Sequence, residues 1–134
     1  MNLHEQVGVT LPIPKGYKVL IAVPSFERTS KGGIVLPEES MKREDMASVL
    51  GYVVAMGPTA YYGRDKNGDP KFPHGPHCRP GEWVALRSYT GTSFTVESLK
   101  ESELPNGWKI STFRLVNDDS IEAVVPKPEE VFKP

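Results

Sequence analysis

The sequence predicts an all-β domain, a small irregular β-barrel of about six short strands. Three observations carry that prediction. Thirteen prolines and 12 glycines stand among 134 residues, above the usual ~12% for the two together, and both break or weaken helices. The apolar segments are short, the longest being Val19–Val23 and Tyr52–Met56. Turn dipeptides such as Gly57-Pro58, Asn67-Gly68 and Pro80-Gly81 punctuate the chain between them, as expected of short strands joined by turns.

Residues 1–15 contain Pro12 and Pro14 with little periodicity and read as an extended N-terminal arm. From Tyr17 to Val23, residues Tyr17, Val19, Ile21 and Val23 fall on one face of a strand. Leu20 and Ala22 fall on the other, so that face is expected to be partly covered too. Pro24 ends the strand. Residues 25–48 are dense in charge, with Gly32-Gly33 ahead of a single apolar cluster, Ile34-Val35-Leu36. No apolar face backs this stretch, which reads as a mobile loop. Val49–Met56 is the next strand. Thr59–His77 is polar and turn-rich, with Asn67-Gly68 placed as a hairpin tip between Tyr61-Tyr62 and Phe72. Trp83–Leu86, Tyr89, Phe94–Val96, Trp108–Val116 and Ile121–Val125 supply the remaining strand segments. Pro126 and Pro128 release a tail, 127–134. With no repeat and no linker, residues 16–126 are expected to form one domain.

Charge and cysteine content narrow the class. Sixteen basic and 17 acidic side chains leave a net charge of −1, which offers no field to hold nucleic acid or an anionic membrane surface. No apolar run approaches the roughly 20 residues of a membrane span, and no signal-peptide core is present. Cys78 is the single cysteine, so no disulfide can form within the chain, in keeping with a reducing cytoplasm.

Catalytic patterns are missing from the sequence: there is no Gly-x-Ser-x-Gly elbow, phosphate-binding loop or dinucleotide fingerprint. Asp118-Asp119 is a carboxylate pair, but adjacent residues point apart, and the pair reads as a turn ahead of Ile121. His74-Gly-Pro-His77-Cys78 holds three ligand types within five residues. Zinc takes four ligands, or three and a water, and no second His/Cys pair completes the set, so a proline-set turn is expected. No metal, cofactor or enzymatic activity is therefore expected. Tyr61, Tyr62, Phe72, Tyr89 and Phe94 have the chemistry to stack bases, yet Arg64, Lys66 and Lys71 are offset by Asp65 and Asp69, which favours packing. Ile34-Val35-Leu36 has two readings: a short strand tucked into its own core, or an apolar segment held out for a partner.

Several segments in order carry a family resemblance. Gly32-Gly33-Ile34-Val35-Leu36-Pro37, followed by Glu38-Glu39-Ser40, and then Gly51-Tyr-Val-Val-Ala-Met-Gly57-Pro58 resemble the mobile loop and following strand of GroES-type co-chaperonins. Cys78-Arg-Pro-Gly81-Glu82-Trp-Val-Ala-Leu86 resembles that family's strand entry, and Tyr89-Thr-Gly91-Thr92 its turn. Phe113 to Val125 resembles the closing strand. The resemblance runs from Gly16 to Pro126, in a style nearest to versions encoded by tailed phages.

The resemblance implies an irregular β-barrel subunit of a seven-membered ring that caps an ATP-driven GroEL-type chaperonin and assists protein folding. Gly32, Gly33, Ile34, Val35 and Leu36 would dock on the chaperonin, and Thr59–His77 would roof the ring. The last strand of one subunit would pair with the first strand of its neighbour, placing Val19, Ile21, Val23, Ile121, Val124 and Val125 at the interface. Expected partners are a GroEL-type chaperonin, further copies of this chain and an unfolded client, a phage capsid protein in a phage-encoded version, all in the host cytoplasm. The arm 1–15 shows no clear counterpart in the resemblance, and 98–106 reads as an insertion. They motivate a second reading, a virion structural or decoration protein built on the same fold.

Overall fold

A computed structural model describes residues 3–25, 50–87 and 90–131. The expected loop with Gly32–Leu36 and the strand residue Tyr89 lie outside the described residues. Six strands are present among the described residues: β1 (Lys18–Pro24), β2 (Leu50–Met56), β3 (Trp83–Leu86), β4 (Thr92–Phe94), β5 (Ile110–Asn117) and β6 (Ile121–Val124). They form one antiparallel sheet in the order β4-β5-β1-β2-β3-β6.

The ladder is not closed, since β4 and β6 stand at its two ends. It is nevertheless forced to curl. A flat sheet would set β5 and β6 four strand spacings apart, roughly 19 Å. The chain joins them through the 3-10 turn Asp118–Ser120 alone, and so short a link spans at most roughly 14 Å. Val116 of β5 and Ile121 of β6 accordingly share one buried cluster with Val19, Ile21, Val53, Val84 and Leu86. That cluster fills the concave side. The expected small barrel is thus realised as a strongly coiled open sheet.

The convex side carries the second cluster, built on Leu20, Ala22, Tyr52, Val54, Trp83 and Phe113. Two segments cover it. Leu3 and Leu11 from the arm are 4% and 2% exposed, and Leu99 and Leu104 from the stretch after β4 are 2% and 3% exposed. Coverage on both sides explains why Val19, Leu20, Ile21 and Ala22 are all fully buried, where alternation alone would leave every second residue wet.

The arm therefore departs from the extended form expected of it. Leu3–Gln6 forms a 3-10 turn, a bridge joins Val7 to Leu11, and the His4 ring is hydrogen-bonded to the Val54 carbonyl and, at 3.0 Å, to the Tyr52 hydroxyl. Prolines 12 and 14 had suggested extension. Burial of two leucines, worth roughly 1.5–3 kcal/mol each, outweighs that local preference.

Candidate partner-binding surfaces

Strand edges decide where a second chain can attach, because an unpaired edge presents a row of backbone donors and acceptors. β1 is not such an edge. It pairs with β5 along its length, from Lys18↔Asn117 to Pro24↔Ile110, and with β2 from Val19↔Met56 to Ala22↔Tyr52. Val19, Ile21 and Val23 point into the concave core, 0%, 0% and 5% exposed. Within the chain, β1 is thus paired on both sides from Val19 to Ala22 and on the β5 side at Val23, the three valine and isoleucine side chains expected at a subunit interface being buried in this subunit.

β6 fits the expectation better. Among the described residues it pairs with β3 alone, Val84↔Val124 to Leu86↔Ile121, and the Val125 N–H donates to the Trp83 carbonyl at 2.7 Å. Ile121 is buried, Glu122, Ala123 and Val124 are exposed, and Val125 is half-buried. The opposite end of the sheet, β4, exposes the polar residues Thr92 and Ser93. The two ends thus differ in what they expose: Glu122, Ala123 and Val124 on β6, Thr92 and Ser93 on β4.

The hairpin expected around Asn67-Gly68 is present. A bridge joins Arg64 to Pro70, and the Asp65 N–H donates to the Asp69 carbonyl at 2.8 Å. The Asp65 carboxylate accepts from the N–H groups of Asn67 and Asp69 at 2.9 and 3.0 Å, the self-capping for which Asp is favoured in turns. Its root is apolar. Tyr61 packs edge-on to Phe72 and against His77, and its hydroxyl lies 3.5 Å from the Cys78 sulfur. Burial, followed by the hydrogen bond with Cys78 and the Cys78 and carboxylate charges nearby, pushes the Tyr61 phenol up. Burial likewise pushes the Cys78 thiol up.

His74, His77 and Cys78 are not brought together as ligands. His77 packs on aromatic rings and Cys78 is buried beneath Tyr61. Among the described residues no group of three or more His, Cys, Asp or Glu is arranged to hold a metal ion. Asp118-Asp119 sits in the expected turn, but the two carboxylates part company. Asp118 turns inward and accepts the Tyr61 N–H, while Asp119 faces Lys71 at 3.5 Å. Neither the Tyr61–Asp118 bond nor the docking of His4 had a spacing signal, because each joins residues about 50 positions apart.

The described residues thus form a small, strongly coiled antiparallel sheet with β4 and β6 at its two ends. The model of the chaperonin 10 Kd subunit family matches residues 13–104. This chain belongs to that family. It is 32% identical over 96 residues to the co-chaperonin GroES of Chlamydia felis (strain Fe/C-56), covering 68% of this chain and 84% of the relative. Against the co-chaperonin GroES of Chlamydia caviae it is 31% identical over 96 residues, with the same coverage.

Proposed function

We infer that the chain is a co-chaperonin: an oligomeric ring of this subunit caps a GroEL-type chaperonin and assists protein folding. The observation that carries this is the family match over residues 13–104, a span that includes Gly32–Leu36. In this reading Gly32 and Gly33 give the segment its freedom, and Ile34, Val35 and Leu36 enter an apolar groove on the chaperonin. Burial of three large aliphatics contributes roughly 5–8 kcal/mol, against an ordering cost of roughly 1–2 kcal/mol per residue. One such contact is weak and reversible. Several presented together by a ring hold firmly, because each later contact forms at high effective concentration.

The ring is proposed to be seven-membered and to use the free edge of β6, with Ile121, Val124 and Val125, as one of its two joining surfaces. A closed ring needs two different surfaces on each subunit. Because β1 is paired on both sides from Val19 to Ala22 within the chain, the second surface is proposed to lie elsewhere on the chain. As a phage-encoded protein working in the host cytoplasm, its client would be an unfolded capsid protein.

The test is co-migration of the purified ring with a GroEL-type chaperonin in the presence of ATP. Changing Ile34, Val35 and Leu36 to Ser is expected to abolish it while the ring keeps its size by light scattering. Co-migration that survives the triple change, or that never occurs, overturns the reading.

A further inference from the structure

The stretch from Glu97 to Lys109 is tied to both points where the chain leaves and re-enters the sheet around the partner-binding segment. On the leaving side, Pro24 closes β1 and has no N–H to give. The ladder to β5 shifts register there, from Val23↔Thr112 to Pro24↔Ile110. The next N–H, that of Ser25, donates to the Lys109 carbonyl at 2.8 Å, which extends the pairing one residue past the strand.

Lys109 is itself held. A bridge pairs it with Glu103, its ammonium lies 3.2 Å from the Glu103 carboxylate, and the Leu104 N–H donates to the Trp108 carbonyl at 2.7 Å. The Ile110 N–H donates to the Ser102 carbonyl at 3.1 Å. These bonds make residues 102–110 a small closed turn whose buried foot is Leu104. On the returning side, Leu50, the first residue of β2, is 4% exposed and belongs to the same buried cluster as Leu99, Leu104 and Ile110. This unit thus bonds Ser25 directly, and its apolar foot belongs to the buried cluster that also holds Leu50. The family match ends at residue 104, inside this unit.

We propose that residues 97–110 act as a positioning clamp for the chaperonin-binding segment, holding its two stems so that Ile34, Val35 and Leu36 are presented from a fixed base. This rests on the co-chaperonin reading above. A held stem has fewer conformations to lose on docking, whereas a loosened one must be ordered at that moment. The side chain that seats the clamp is Leu104. It is 3% exposed and lies in the buried cluster that also holds Leu50, Leu99 and Ile110.

Amide hydrogen exchange on the intact ring reads the clamp without the chaperonin. Leu104→Ser is expected to speed exchange at Ser25 and Ile110 by about tenfold or more, with the centres of β1 and β5 unchanged. The same variant should bind the chaperonin in ATP about tenfold more weakly, the effect of ordering one further residue at each docking. Leu104→Met, which refills the site, should restore both readouts. Ser25→Pro removes the pinning donor without touching the core, and it decides the question by binding if Leu104→Ser fails to fold. Unchanged exchange at the stems, or faster exchange with undiminished binding, overturns the clamp. Loss of binding already in the unaltered ring instead overturns the co-chaperonin reading, and the exchange result still reports whether the stems are held.

Discussion

The backbone N–H of Tyr61 donates to the carboxylate of Asp118 at 2.9 Å, 57 residues away in sequence. Tyr61 has φ of 68°, an uncommon conformation for a bulky residue, and is 3% exposed, as is Asp118. The bond ties the root of the hairpin to the turn between β5 and β6. Asp118→Ala leaves a buried donor unpaired and is expected to cost about 1–3 kcal/mol in urea unfolding. Asp118→Asn keeps an acceptor and should cost less. Equal, negligible effects from both would mean the bond does not hold the turn.

Alkaline pH should weaken the fold through the same root. Burial raises Tyr61 from its ordinary 10.0 and Cys78 from its ordinary 9.0. Above pH 9 the unfolded chain sheds protons that the folded chain keeps, so stability falls as pH rises. Urea midpoints should therefore drop between pH 8 and pH 10.5, and drop less in Tyr61→Phe. The Cys78 thiol should stay unreactive to Ellman's reagent at pH 8 until the chain is unfolded, because the thiolate is the reactive form.

Gly91 lies at φ of +78°, and a Cβ there would stand 2.2 Å from the Leu115 carbonyl oxygen. Gly91→Ala combines backbone strain with a collision against β5 that no side-chain rotation relieves. It is expected to cost about 2 kcal/mol or more. Gly63→Ala is the control, since a Cβ there meets nothing within 4 Å, and its melting temperature should be nearly unchanged.

The arm should behave as part of the core. Leu11→Ala removes a side chain that is 2% exposed and should cost about 2–4 kcal/mol. Protease should then cut within the first 15 residues before it cuts the sheet. Simultaneous loss of arm and sheet would show that the arm has no separate stability.

Val124 is 38% exposed on the free edge of β6. Val124→Arg leaves the core intact and sets a charge on that edge, a device that blocks edge-to-edge pairing. Light scattering should show the assembly reduced to smaller species with unchanged circular dichroism. An intact ring would remove the β6 edge from the interface.

Much of the sheet was legible in the sequence because its signals are local. The alternation from Val19 to Val23, the apolar run ending at Met56, and the stops at Pro24, Gly57-Pro58 and Pro126 bracket strands that the structure contains within a residue or two. The turn at Asp118-Asp119 and the tip at Asn67-Gly68 were legible for the same reason. Strand order was not. Nothing in the residues of β1 distinguishes an edge strand from a central one when both of its faces are apolar, and so its central place between β5 and β2 was not legible.

The sequence by itself determined the class: a short, proline- and glycine-rich all-β chain whose motifs belong to the chaperonin 10 Kd subunit family. Those features depend on composition and on neighbours a few positions apart. Tertiary structure alone decided that the arm folds back through Leu3, His4 and Leu11, that β6 stands at one end of the sheet, and that Ser25 is bonded to Lys109. Each of these depends on which distant segments share a face of the coiled sheet, and that pairing is set by burial summed over the whole chain.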